Sequence, residues 1–389
     1  MQRQEQIRLL KEVIQHIDNG TNVDAGGIRH NPSWVYTCPD LAAKEWQTFY
    51  REYPQVIGAS NDLPEPGSFM TTNDFGTPVL ATRDSEGNFR AFVNVCRHRA
   101  VLLVDEASGK RSRFSCPFHG WTYSNGGELV KVPKTEHFGT VDKSCHGLVP
   151  LPAVERYGFL WVHPQPDGKI DLEKILGGLA PEFEAWNWEG LEKYGSDSWE
   201  DRMNWKLSMD TFGETYHFST LHRDTLYPDF HGNVQAYDTF GRNHRMTLVT
   251  RGIDEMRKQP EETWKICQGT FPVYWLFPNI QINVTPFGFV MFRVFPDQAD
   301  PTRRTVTRIG FYARPDAMEM FGEQIKMVLN SFATVIRDED YAMAKRSQLG
   351  AEAGVPDHTV FGRNEPALHH YHNTYREALG MEPLEFVKE

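Results

Sequence analysis

The stretch from Cys96 to Trp121, CRHRAVLLVDEASGKRSRFSCPFHGW, holds two cysteines and two histidines in two tight pairs. Cys96 stands with His98 and Cys116 with His119, seventeen residues apart. Thiolate and imidazole donors at such spacing point to a metal. Structural zinc takes four ligands, often in C-x2-4-C and H-x3-5-H pairs. Here each pair is mixed. That suits a [2Fe–2S] cluster in which two thiolates hold one iron and two imidazoles the other. The fold is constrained accordingly: each pair must sit at the tip of a loop between strands. Pro117 and Gly120 suit a tight second loop. Neutral imidazoles in place of thiolates raise the reduction potential, so the site is fitted to receive electrons and pass them on.

The flanking chain reads as strands from about 35 to 163. Phe89, Ala91, Val93 and Val95 alternate after the turn signal SEGN, and Asn125-Gly126 predicts a tight primed turn after Trp121. A Pro/Gly-rich stretch after YGFLWVHP sets a domain limit near 165. Beyond it, GRNHRMTLVTRG, WKICQGTFPVYWLFP, IQINVTPFGFVMFRVFP and TRRTVTRIGFYAR predict a sizeable antiparallel sheet. Phe321, Ile325, Val328, Leu329, Phe332 and Val335 form the stripe of a long helix. A last helix starts near Glu365, with Leu368, Tyr371, Tyr375 and Leu379 on one side. At the N-terminus Ile7, Leu10, Ile14 and Ile17 recur at helical spacing, with Gly20 as cap. The expected class is α+β: residues 1–34 as a helix and lead-in packing on the catalytic domain, an all-β [2Fe–2S] domain over 35–165, and a catalytic domain over 166–389 with an antiparallel sheet flanked by helices.

Charge narrows the function. The formal net charge is −11, which argues against nucleic acid and anionic membranes as partners. Five cysteines make no disulfide framework in a chain this size, so a reducing, cytoplasmic setting is expected. No apolar run approaches the roughly 18 residues that span a bilayer. There is no Gly-rich nucleotide loop, so electrons from NAD(P)H are expected through a separate reductase, with or without a ferredoxin.

More than 220 residues follow the first motif, among them NWKLSMDTFGETYHFSTLH. Glu214 and His217 are three apart and would share a helix face. His217 and His222 are five apart, about 140° around an ideal helix, so the helix must bulge or end between them if both are to reach one ion. Two histidines and a carboxylate form the set that leaves open positions on Fe(II) for O2 and substrate. The carboxylate must come from elsewhere.

Together these motifs resemble the Rieske non-haem iron oxygenases, the ring-hydroxylating oxygenase α-subunits, over nearly the whole chain. The resemblance implies Cys96, His98, Cys116 and His119 as cluster ligands, and His217 and His222 as ligands of a mononuclear Fe(II). By the same likeness VIRDEDYAMAK supplies the third ligand, Asp340, with Asp338 as the alternative. It further implies a head-to-tail homotrimer (or a hexamer) in which one subunit's cluster serves its neighbour's iron. A carboxylate, here Glu214, would bridge His98 or His119 to His217. Aromatic-ring enzymes of the family mostly carry Asp at that position. Glu is similar to the members that oxidise quaternary ammonium compounds, and Met209-Asp210 replaces the family's common Glu-Asn. The implied reaction inserts oxygen from O2 into a small organic substrate, aromatic or otherwise cyclic and apolar. Alternatives are oxidative demethylation or hydroxylation of a carnitine- or betaine-like compound, and a Rieske electron-transfer protein with no oxygenase activity. His369, His370 and His372 are read as a solvated helix, and Cys38, Cys145 and Cys267 as packing residues. Trp264, Tyr274, Trp275 and Phe287 are read as core ahead of a substrate pocket or a cation cage.

Overall fold

A computed structural model describes residues 1–388. The chain falls into two compact units, Met1–Glu45 with Leu172–Glu389, and Trp46–Asp171. The division therefore lies at 45/46 and 171/172 rather than at 34/35 and 165/166. The segment up to Glu45 stays with the larger unit because Glu45 is buried there, paired to Lys206 at 2.7 Å.

The smaller unit is built from three antiparallel sheets. One has four strands in the order Phe89–Val93, Val79–Arg83, Ser68–Thr72, Ser108–Lys110. A second joins Arg113–Ser115, Thr122–Ser124 and Leu129–Lys131, and a third joins Ala153–Arg156, Phe159–Val162 and Gln55–Ala59. The hairpin after Trp121 is present, but its turn is longer than the Asn-Gly signal predicts. The Ser124 N–H donates to the Glu128 carbonyl at 2.9 Å, and Gly127, at φ +91°, takes the left-handed position. Asn125 and Gly126 stay at the centre of the turn, closed by the Gly127 N–H on the Ser124 carbonyl at 3.1 Å, and Asn125 is held by tertiary bonds as well. Its side chain donates to the Arg83 carbonyl at 3.2 Å, and its carbonyl accepts from Thr82 Oγ1 at 2.7 Å. Cys96 and Cys116 are buried in the core of this unit beside Phe114, Trp121 and Tyr123.

The larger unit is centred on a seven-stranded antiparallel sheet. Its strands are β1 (Glu192–Asp201), β2 (Phe230–Phe240), β3 (Asn243–Thr250), β4 (Thr270–Leu276), β5 (Ile280–Val284), β6 (Gly288–Pro296) and β7 (Thr305–Ala313), in the spatial order β1-β7-β6-β5-β4-β3-β2. The five inner strands are those the apolar runs predict; the edges β1 and β2 escaped that reading. β1 is largely exposed, so its sequence EKYGSDSWED carries little apolar signal. Alternation along β3 splits two functions between the faces. Arg245, wholly buried, points one way and meets Glu182, Glu5 (2.6 Å) and Asp238 (2.6 Å). This pins α1 (Arg3–Asn19), which carries Glu5 and packs on β2. His244, Met246 and Leu248 point the other way, towards the chemistry described below.

The helices on that second side are α2 (Trp205–Asp210), α3 (Pro315–Val335), α4 (Tyr341–Ala353) and α5 (Pro366–Ala378). The stripe of α3 is only half buried: Ile325, Leu329 and Val335 are inside, but Phe321 and Val328 are exposed. The helix is non-helical at Phe321 (φ −134°), where the stripe begins. The buried face of α1 is Leu9, Leu10 and Val13; of the expected stripe Leu10 is buried, and Ile7, Ile14 and Ile17 are half-buried. Among the described residues, no helix is long and apolar enough to cross a membrane.

Candidate metal centres

The two cysteine loops are built alike. The Cys96 N–H donates to the Val101 carbonyl at 2.8 Å, and the Ala100 N–H donates back to the Cys96 carbonyl at 3.0 Å. Twenty residues on, Cys116 N–H donates to Trp121 at 2.7 Å, and Gly120 N–H to the Cys116 carbonyl at 2.9 Å. The fifth residue of each loop is left-handed, Ala100 at φ +55° and Gly120 at φ +70°. The result is two matching bends, each with a buried thiol at its base and a histidine at its tip. The His98 and His119 rings lie 4.6 Å apart, and His98 stacks on Trp121 at 5.0 Å. His98 Nδ1 is buried without a protein partner, and its ring is held towards the neutral form by burial, His119 and Arg99. A neutral imidazole with an uncommitted nitrogen is a ligand in waiting. Tyr123 Oη sits 3.4 Å from Cys96 Sγ and accepts the Arg97 N–H at 2.9 Å.

One ion needs all its donors close together. Among the described residues only His217, His222 and Asp340 offer three such donors within 4.8 Å of one another. The cysteine–histidine set is more spread out, as a two-iron cluster requires and a single zinc does not. The donor chemistry and the orphaned His98 nitrogen fit the cluster.

The second centre is assembled from distant pieces. α2 ends at Asp210, so Glu214 lies in the loop beyond it and not on a shared helix with His217. A short 3₁₀ turn, Tyr216–Ser219, carries His217. Glu214 caps it, accepting the N–H groups of Tyr216 and of His217 (3.1 Å). The chain leaves the turn before His222, as the five-residue spacing demands. Asp340 comes from a π-helical turn, Ile336–Asp340, between α3 and α4. Such turns recur at functional sites because the extra residue re-aims side chains. His217 Nε2, His222 Nε2 and Asp340 Oδ1 make a triangle with edges of 3.1, 3.2 and 3.3 Å. Donors about 2.1 Å from one ion and about 100° apart stand about 3.2 Å from each other. The triangle fits an ion with one face capped and the opposite side open. Asp338 is exposed and paired with Arg337 at 2.7 Å, outside the triangle.

Each imidazole is gripped from behind. Glu214 Oε1 lies 2.5 Å from His217 Nδ1, and Glu339 Oε2 lies 2.7 Å from His222 Nδ1. A carboxylate on Nδ1 fixes the tautomer that presents Nε2 to a metal. Burial opposes charge on His217, yet Asp340 and Glu214 outweigh it and carry its pKa up to about 10. Burial likewise works against the Asp340 carboxylate, but the two rings hold it below its ordinary range. The electrostatics thus favour positive charge at the point the three donors share. Glu339 was not foreseen. Its only signal is its place beside Asp340, which the π turn converts into two acids on one ring.

The LHHYH histidines are not solvated. His369 and His372 are buried, His372 Nε2 donating to Asp210 at 2.9 Å. Asp210 also accepts from Tyr36 (2.7 Å) and Tyr371 (2.5 Å), so it anchors the end of α2 ahead of Glu214. Cys145 is exposed rather than packed. Tyr274 and Trp275 are core, as expected; Trp264 and Phe287 are only partly buried.

Beside the triangle lies a recess of about 40 Å³. Phe212, Phe218, Phe230, Phe271 and Phe332 wall it, with Leu226, Leu248, Val273 and Ile336 between them. Beyond the triangle its polar groups are Thr211, Glu214, and Gln281 and Asn283 on β5, and no lysine or arginine lines it among the described residues.

Two family models match the chain: "Rieske [2Fe-2S] domain" over residues 53–152 and "Ring hydroxylating alpha subunit (catalytic domain)" over 188–381. The carnitine monooxygenase oxygenase subunit of Escherichia coli is 24% identical over 362 residues, covering 88% of this chain and 94% of that one. The toluate 1,2-dioxygenase α subunit of Pseudomonas putida is 31% identical over 219 residues, covering 54% and 48%. The crystal structure of the quaternary ammonium Rieske monooxygenase CntA with an inhibitor shares the fold, at a TM-score of 0.78 and 21% identity, covering 92% and 97%.

Proposed function

The chain belongs to the Rieske-type ring-hydroxylating α-subunits, oxygenase components with a [2Fe–2S] domain and a mononuclear-iron domain, and we propose that its substrate is an uncharged, largely apolar molecule, aromatic or otherwise cyclic. The observation that carries this reading is the recess: five phenylalanine rings and four aliphatic side chains beside the triangle, with no cation to meet an anionic group. Burying an unpaired charge there would be costly.

In this reading Cys96, His98, Cys116 and His119 hold the cluster, and His217, His222 and Asp340 hold Fe(II). When bound, that iron supplies reductive O2 activation at its open positions. Glu214 and Glu339 keep Nε2 of each histidine aimed at the ion. The phenylalanine wall excludes water and sets the substrate against the open side. With 40 Å³ of free space, a ring-sized substrate enters by displacing part of that wall; Phe332 and Ile336 sit on the half-exposed α3 side.

Electrons arrive through a separate reductase, and subunits assemble head to tail, as a trimer or hexamer. Glu214 suits the bridging role. Oε1 accepts from one imidazole and keeps a lone pair for a second donor, and neighbouring Tyr216 is 63% exposed, so this edge of the site is open to a partner.

A second reading is oxidation of a quaternary ammonium compound. Five aromatic rings can cage such a cation, and the E. coli relative aligned over most of both chains is a carnitine monooxygenase. The experiment is a single turnover of the pre-reduced, iron-loaded protein with O2 and either naphthalene, indole, choline or carnitine. Oxygenated naphthalene or indole is the expected outcome. Product from choline or carnitine alone would move the assignment to the second reading.

A further inference from the structure

We infer that Gln281 and Asn283 form a polar subsite that selects substrates bearing one neutral group able both to donate and to accept a hydrogen bond, a hydroxyl being the smallest. This deepens the proposed function and rests on it, since it assigns the substrate's polar end within the same recess.

The two residues are two apart on β5, so both side chains stand on the sheet face towards the triangle. Their cross-strand neighbours on that face are apolar: Trp275 and Phe292 flank Gln281, and Val273 and Val290 flank Asn283. They are 4% and 1% exposed, and both line the recess. Gln281 Nε2 donates to Asn283 Oδ1 at 2.9 Å. That bond uses one donor group and one acceptor group. Gln281 Oε1 and an Asn283 N–H edge remain, with no partner among the described residues. Turning both amides over leaves the same inventory, one acceptor and one donor. Two primary amides buried in an apolar wall are unfavourable unless something completes their bonding. An ionised carboxylate could not serve the acceptor, and a trimethylammonium head could serve neither edge, so the subsite reads a substrate's hydroxyl and not its charge. A hydroxyl serves both, giving its proton to Gln281 and taking one from Asn283.

The test measures binding by calorimetry to the cluster-replete, iron-loaded protein, with 2-naphthol and naphthalene as matched probes. The quantity read is the ratio of their dissociation constants. In Gln281→Met/Asn283→Leu the preference for 2-naphthol should fall at least about tenfold relative to wild type, 2-naphthol binding more weakly and naphthalene as well as before or more tightly. Gln281→Met alone, which keeps the length of the side chain, should lower it about threefold and guards against misfolding of the double variant. A ratio unmoved in Gln281→Met, or both probes weakened equally in the two variants, overturns the inference. Product analysis with reductant and O2 separates the two claims. If the ratio falls but neither probe is oxygenated, the amide subsite stands and the apolar-substrate reading fails. If both probes are oxygenated and the ratio is unmoved, the reverse holds.

Discussion

The two centres are made by opposite strategies. In the cysteine loops all four donors come from 24 consecutive residues, Cys96 to His119, and one hydrogen-bond pattern is used twice. In the histidine–carboxylate centre Asp340 is 118 positions from His222, and a 3₁₀ turn, an irregular loop and a π turn each place one donor. A local site tolerates little change in its own loops but depends weakly on the rest of the chain. A site assembled at long range inherits every shift of the elements that carry it.

The sharpest way to break this contrast is to remove one donor from each centre. Cys116→Ala should abolish the visible absorption and the reduced EPR signal of the cluster, while about one iron per chain remains. Asp340→Ala should leave the cluster spectrum intact, lose the mononuclear iron and cut turnover by at least about 1,000-fold, as expected when a metal ligand goes. Asp338→Ala should stay within about twofold of wild type, because an exposed pair with Arg337 contributes little. Parity between the two aspartate variants in iron analysis and turnover would dissolve the long-range centre described above.

The carboxylates behind the histidines come next. Glu214→Gln keeps the side chain's shape but loses its charge. The cluster should stay bound and still accept electrons, and iron binding should weaken by about 10- to 100-fold, as for any carboxylate behind a ligating histidine; in iron-saturated protein product formation falls about 100-fold, or about 2.7 kcal/mol. Wild-type single-turnover rates would leave Glu214 as a cap of the 3₁₀ turn and nothing more. Glu339→Gln should weaken iron binding by about 10- to 100-fold, the usual effect of losing a partner behind a ligating histidine. Dialysis against a chelator reads this directly.

The smallest effect probes the repeat within the cysteine loops. Ala100 sits in a conformation that costs an L-residue roughly 1 kcal/mol. Ala100→Gly should therefore be neutral to slightly stabilising. Gly120→Ala should destabilise by about 1 kcal/mol, since a Cβ there also meets Pro133 at 3.2 Å. Denaturant titration of the cluster-replete protein compares them, and equal shifts of the same sign would mean the loops are less alike than their bonds suggest.

The asymmetry also explains what could be read in advance. The cluster donors, His217, His222 and the five inner strands announce themselves through spacing and apolar runs. β1 and β2 did not, because edge strands owe their pairing to a neighbour and their composition to solvent. Glu339, Asp210 and the buried His372 were missed for a related reason: a polar side chain looks the same in sequence whether it faces water or a single buried partner.

The sequence by itself determined the chemistry: which donor types are present, at what spacing, and that two different iron sites share one chain. It did so because thiolate and imidazole pairs at those intervals have few other uses. Only the tertiary structure brings Asp340 and not Asp338 to the two histidines, sets a carboxylate behind each imidazole, and faces the amide pair to the phenylalanine wall. Those assignments turn on where a π turn re-aims two neighbouring acids and on which face of β5 the alternation presents. Neither direction is written in any local pattern; both follow from how the sheet and its helices pack.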